Sequence, residues 1–254
     1  MVVFGADSTR MQRSAQVLCV RDVSLQRRHI VSFMTRFLRQ CRRPSGLFGR
    51  IVARGMNVGH IPVTLWGLDH LPGDPHKAVL DVGCGGGATM RRLAGYHASP
   101  LVCGIDLSCD SARVSRRRNA GLLEEGRGLV ARANVTALPF ADGAFDLVTA
   151  VETHYFWPDL DHDLKEVLRV LAPGGRLMIA GEDYKGSKFE ARNIRWVKAA
   201  GMRHLTPEEL CQACVGAGFA DVQMFVDEDR GWVCAVGTRA VQDADGDGER
   251  PATS

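Results

Sequence analysis

No apolar run in this chain approaches the roughly 18 residues that a bilayer-spanning helix needs, which argues against stable membrane insertion. Composition agrees: 45% of the 254 residues are hydrophobic and 24% are charged, ordinary values for a soluble globular protein. Metal-ligand spacing is also lacking. The eight cysteines include one C-x-x-C, Cys211 and Cys214, with no second pair or matching histidines to complete a zinc site. On a predicted helix, positions i and i+3 share a face, so these are expected to be core thiols. The expectation is no metal and a reduced, cytoplasmic protein. No internal repeat is present. Basic charge is missing from most of the chain. The net charge is +3, but residues 1–43 hold nine arginines against Asp7 and Asp22, so the remainder is net acidic. That opposes binding to a phosphate backbone and predicts no nucleic-acid partner for the domain.

The Arg-rich start is open to several readings. It is a disordered or accessory segment, an organelle transit peptide, or an arm for an acidic partner. It is also readable as an extension upstream of a later start at Met34. Residues 31–37 are apolar enough for a short helix.

The most informative stretch is residues 79–87, V-L-D-V-G-C-G-G-G. It reads as a buried strand running into a glycine-rich turn, followed by a helix over 88–94. Glycines allow a tight turn and close approach of backbone to a ligand. The helix N-terminus offers free N–H groups and a positive dipole end. A nucleotide-like ligand with a carboxylate or phosphate suits such a site. Asp81, at the strand end, suits a ligand that also carries an amino group. The dinucleotide fingerprint G-x-G-x-x-G tolerates Ala at its last position, here Ala88, so the loop alone leaves a nicotinamide enzyme open. A second apolar run, 101–105, ends in Asp106. An acid about 20 residues past such a loop accepts hydrogen bonds from ribose hydroxyls; the bland alternative is a helix-entry residue beside the N-cap Ser108.

Four motifs in order now carry a resemblance. Residues 81–87 (D-V-G-C-G-G-G) and 104–108 (G-I-D-L-S) resemble the first two motifs of the class I S-adenosylmethionine (SAM)-dependent methyltransferases. Residues 138–148 resemble the region around their fourth strand, and residues 166–177 the turn into their fifth. The similarity spans about 45–238 and is nearest the small-molecule branch that includes the ubiquinone and menaquinone methyltransferases. No Asn/Asp-Pro-Pro-aromatic signature of nucleic-acid methylation is present. The resemblance implies SAM as cofactor, a small-molecule methyl acceptor, and a Rossmann-like, doubly wound α/β fold. Its mostly parallel seven-stranded sheet would carry a C-terminal antiparallel strand. Two other readings stay open: a SAM-binding regulatory protein without turnover, and a nicotinamide enzyme on a similar core.

Alternation of strands and helices supports the same fold. Strands are expected near 79–82, 101–105, 128–131, 145–151, 175–180, 221–226 and 232–238. Helices are expected near 88–94, 109–124, 160–171 and 206–217, with a helical apolar pattern over 63–68. Thr206, Pro207 and Glu209 give the last helix strong entry chemistry. The domains are then 1–43, basic segment; 44–238, methyltransferase domain; and 239–254, a polar, disordered tail.

The resemblance also assigns residues. Gly83, Cys84, Gly85 and Gly87 contact the methionine half of the cofactor, with Asp81 near its amino group. Asp106 takes the ribose, Leu107 lies on the adenine, and Asn134 with Val135 follows the third strand at the adenine edge. Asn134 stands where family members often have Asp. The fourth strand ends in E-T-H-Y-F-W-P, residues 152–158. Glu152 faces the methionine end; His154 has the ordinary pKa range of a base and Tyr155 orients an acceptor, so both are the catalytic candidates. Asn57 and His60 reach the pocket from before the first strand. Residues 182–202, with Tyr184, Asn193 and Trp196, sit where related enzymes insert a substrate cap.

Overall fold

The computed structural model describes residues 58–73, 76–96 and 101–241, together with Ser45, Gly46, Gly49, Ile51 and Gly55. The basic segment, the helix expected over 31–37, Asn57 and residues 242–254 lie outside the described residues.

The chain enters through α1 (Ile61–Leu68), whose buried Val63, Thr64, Gly67 and Leu68 face the sheet. Then follow β1 (Ala78–Val82), α2 (Ala88–Tyr96), β2 (Leu101–Asp106), α3 (Cys109–Arg118), α4 (Ala120–Glu124) and β3 (Gly128–Arg132). The second half contains β4 (Phe145–Val151), a 3-10 turn (His154–Phe156), α5 (Leu160–Val170), β5 (Leu171–Gly181), α6 (Glu190–Ala200), α7 (Pro207–Ala217), β6 (Phe219–Asp227) and β7 (Trp232–Arg239).

The seven strands form one sheet in the order β3-β2-β1-β4-β5-β7-β6. Strands β1 to β5 pair in parallel, and β7 runs antiparallel to both β5 and β6. The chain reverses its direction of sheet growth between β3 and β4. The crevice at that switch point, beyond the carboxyl ends of β1 and β4, is where open α/β sheets hold ligands. Two cores flank the sheet. One buries Leu80, Val148 and Ile179 with Leu164 of α5 and Leu210 of α7. The other buries Val79, Leu147 and Met178 with Val63 of α1, Leu93 of α2 and Ala112 of α3. Central strands are therefore apolar on both faces, which explains their continuous hydrophobic runs. Among the described residues, no helix is long and apolar enough to cross a membrane.

Three expectations need correction. The single helix expected over 109–124 is two helices, broken at Asn119. This buried side chain donates to the carbonyls of Ser115 and Gly87, each at 3.0 Å, so local polar bonding competes with helix continuation. The fifth strand begins at Leu171 rather than near 175, with a register shift against β4 between Phe145 and Leu147. Arg239 is not tail: it closes β7 and donates to the carbonyls of Leu168 and Arg169 at the end of α5. By contrast α7 carries the full capping box of Thr206 and Glu209 and ends at left-handed Gly218. Cys214 is buried and free, its thiol pushed up to about 12 by burial.

Candidate active site

The turn after β1 is held from below. The N–H groups of Gly83 and Cys84 both donate to the Ile105 carbonyl at 2.8 Å, and Gly87 donates back to Cys84. Its glycines have left-handed φ values of 75°, 51° and 77° at Gly83, Gly85 and Gly87, which side chains resist. Their surroundings differ. A Cβ on Gly83 would collide with the Thr153 side chain, and one on Gly87 with Asn119 and Ser115. A Cβ on Gly85 would meet only the Gly83 carbonyl, at 3.9 Å. Gly83 and Gly87 are thus pinned by internal packing, while Gly85 presents its backbone to open space.

Asp106 ends β2 and reaches back to this turn. One carboxylate oxygen accepts the Gly85 N–H at 3.0 Å and the other the Ser108 N–H at 2.7 Å. Burial raises its pKa, and the two backbone bonds oppose the rise. Leu107 beside it is 45% exposed, an apolar surface at the crevice mouth. Asp81 is almost fully buried and accepts from the Thr149 hydroxyl at 3.0 Å. Burial pushes its carboxyl up to about 7, against the Thr149 bond and helped by nearby Asp106.

Other predicted contacts are narrower than expected. The Cys84 side chain lies in the core near Ser115, and burial raises its thiol well above the usual range. Val135 also packs into the core. Only the backbone of either residue is free to meet a ligand. Asn134 closes a small turn, bridging to Ala137, with its side-chain oxygen 3.5 Å from the Thr136 N–H.

The loop after β4 differs most from expectation. Glu152 sits at φ 58°, a left-handed conformation that a non-glycine residue adopts only when its surroundings enforce it. Its N–H donates to the Ala180 carbonyl at 2.9 Å. Its carboxylate accepts from the Glu182 N–H and lies 3.2 Å from the Tyr155 hydroxyl. Burial pushes its carboxyl up to about 7. Tyr155 is buried, and its oxygen also accepts from the Asp183 N–H at 3.3 Å. His154 is 3% exposed and its Nδ1 has no hydrogen-bond partner among the described residues. Burial alone depresses its pKa to about 3. The expectation that His154 keeps an ordinary imidazole pKa is therefore corrected: the ring packs on Tyr155, with centroids 4.0 Å apart, against Gly181.

His60, expected to reach the pocket, meets there a residue that sequence reasoning did not single out, Glu182. His60, just before α1, brings Nδ1 to 3.2 Å from Glu182 Oε2. With Glu152 they place three ligand-type atoms within 4.8 Å of one another, near enough to share a proton or a cation. Burial lowers the His60 pKa, but the Glu182 hydrogen bond and the Glu152 and Glu182 charges outweigh it, for a net rise. Next in sequence, Asp183 lies 3.2 Å from His204 and accepts from Asn193 at 3.0 Å. Of the cap residues, Asn193 joins this network, Tyr184 is core, and Trp196 stacks under Arg195. The usable signal for Glu182 was its position directly after the fifth strand.

Residues 80–179, from β1 through β5, match the family described as a methyltransferase domain. Over that span the chain is similar to class I methyltransferase domains. The matched span begins two residues into β1 and stops two residues before the end of β5. Malonyl-[acyl-carrier protein] O-methyltransferase of Geobacter sulfurreducens is 36% identical over 159 residues, 59% of this chain and 58% of that protein. Fatty-acid O-methyltransferase of Mycolicibacterium smegmatis is 41% identical over 100 residues, 39% of this chain and 35% of that protein. The chain thus spans little more than half, or less, of these curated relatives. Among solved structures, Haemonchus contortus phosphoethanolamine N-methyltransferase 2 in complex with SAM aligns with a TM-score of 0.62 at 17% identity. That alignment covers 71% of this chain and 53% of the other, a likeness of fold.

Proposed function

We propose that the chain transfers a methyl group from SAM to a small-molecule acceptor, chiefly by alignment and exclusion of water. The observation that carries this reading is Gly85, whose backbone faces open space at the end of β1 while Asp106 holds it in place. A nucleoside bearing an amino acid fits the residues there. Asp106 retains acceptor capacity for ribose hydroxyls, since a carboxylate has about four lone-pair sites and two are taken by Gly85 and Ser108. Leu107 gives an apolar face for a base, with the backbone at Asn134 and Val135 along its edge. The open side of the Gly83–Gly87 turn receives the charged methionine end, with Asp81 at the end of β1 and Glu152 beyond.

When bound, SAM supplies a methyl group already activated by positive charge on sulfur. The chain's residues supply position, which is worth roughly 7–11 kcal/mol when reactants are held in line. Tyr155 and His154 act by packing: they fill the space under Gly181 and fix the left-handed Glu152. Residues 1–43 stand apart from this chemistry in our reading. Free cysteines among the described residues support a reducing, cytoplasmic setting. Labelled SAM incubated with a cell extract and the full chain, followed by identification of the labelled product, tests the activity. Label recovered only in water-soluble breakdown products of SAM, at the rate without protein, would refute it.

A further inference from the structure

The carboxyl ends of β4 and β5 bear Glu152 and Glu182, adjacent in the sheet. Among the described residues, neither has a lysine or arginine at salt-bridge distance; the basic group between them is His60. Buried or half-buried carboxylates without a cation are costly, so what arrives here should bring a proton or a positive charge. His60 donates from Nδ1 to Glu182, leaving the Nε2 lone pair free. Nε2 has no partner among the described residues, and the side chain is 27% exposed. A carboxylate that fixes one ring nitrogen so that the other can take a proton is the arrangement general-base catalysis needs. The end of β4 lies beside β1, whose turn holds the cofactor in the function proposed above, and the end of β5 is one strand further.

Resting on that reading, we propose that His60, held by Glu182, takes the proton from the methyl acceptor, and that the acceptor atom carries this proton at neutral pH: a phenol or an amine, not a carboxylic acid. A carboxylic acid is already ionised and needs no base, and its negative charge would face the carboxyl groups of Glu152 and Glu182. For a phenol, the oxygen lone pair forms the new bond to carbon as the carbon–sulfur bond breaks, leaving its electrons on sulfur. The phenolic proton passes to His60 Nε2 and then to water. For an amine, His60 first takes the ammonium proton, freeing the nitrogen lone pair for the same displacement. Either way His60 returns to its starting state once the proton has left. Glu182 is a positioning residue: it sets the ring orientation and does not touch the acceptor.

The test combines transfer, binding and titration on the full chain. Labelled SAM is offered with 4-nonylphenol, dodecylamine or dodecanoate, three acceptors that differ mainly in the reacting group. The phenol or the amine should take label faster than dodecanoate. His60→Gln should lower kcat by about 10²–10⁴-fold without weakening S-adenosylhomocysteine binding. Glu182→Gln should lower kcat less and shift the acidic limb of the pH–rate profile. In NMR, the His60 Cε1 proton, assigned by its absence in His60→Gln, should titrate above 6.5 and move down in Glu182→Gln. Preference for dodecanoate, full-rate transfer by His60→Gln, or transfer that requires an added divalent cation overturns the proposal. So does a His60 titration unchanged by Glu182→Gln. If S-adenosylhomocysteine binds but no probe accepts label, the NMR comparison decides. Failure to bind S-adenosylhomocysteine refutes the proposed function instead, while the titration still reports on the His60–Glu182 pair.

Discussion

The Asp106 carboxylate accepts the Gly85 backbone N–H at 3.0 Å, tying the end of β2 to the outward-facing point of the turn after β1. The same carboxylate accepts Ser108 N–H at the entry to α3. One side chain therefore shapes the cofactor turn and remains available to a ligand. Asp106→Ala should weaken SAM binding by roughly 1–3 kcal/mol through loss of a charged acceptor. Asp106→Asn, which keeps an oxygen for Gly85, should lose less. Calorimetry on both variants checks this; equal affinity for parent and Asp106→Ala would mean that the ribose lies elsewhere.

The glycines separate into two roles that mutation should distinguish. Gly85→Val adds a side chain on the open side and should abolish SAM binding with modest destabilisation, from its left-handed φ. Gly83→Val drives a side chain into Thr153 and should destabilise the fold itself, by about 1–3 kcal/mol or more. Urea unfolding paired with calorimetry reads both effects. A Gly83→Val protein as stable as the parent would contradict the packing described here.

Asp81 should make stability depend on pH in a defined sense. Its carboxyl is pushed from 3.8 to about 7 by burial, so the folded chain holds a proton that the unfolded chain releases between those values. The stabilisation is complete below the unfolded pKa and is lost as pH rises through about 7. Relative to Asp81→Asn, the parent without ligand should lose stability across this window, by at most about 1.4 kcal/mol per pH unit. Urea denaturation of both proteins from acid to neutral pH measures the difference, and a constant difference would refute the assignment.

His154 should behave as packing rather than as a base. Its Nδ1 is buried without a partner among the described residues, a cost of about 1–3 kcal/mol, so His154→Leu should be close to neutral or stabilising at neutral pH. The parent ring, depressed to about 3 by burial, contributes stability above its unfolded pKa of 6.5 that is lost as pH falls toward 3. The leucine variant lacks that loss. A kcat that collapses in His154→Leu while the fold and SAM binding persist would restore His154 as a catalytic group.

Much of the fold was legible because the signals are local. The 79–87 run, Asp106 and the Thr206–Glu209 capping box each declare a strand end, a ligand turn or a helix start within a few residues. Asn119 was not legible as a break, since its partner Gly87 lies 32 positions away. The pairing of His60 with Glu182 spans 122 positions, and only the sheet order brings their elements together. His154 misled for the opposite reason: its residue type suggests proton transfer, but burial decides its pKa, and burial is a property of the packed loop.

The central claim, that the crevice at β1 and β2 takes SAM, is tested most directly by calorimetry of the full chain with S-adenosylhomocysteine and, separately, NAD. The account predicts saturable one-to-one binding of S-adenosylhomocysteine, lost in Gly85→Val, and no binding of NAD. Tight NAD binding with none of S-adenosylhomocysteine would contradict it.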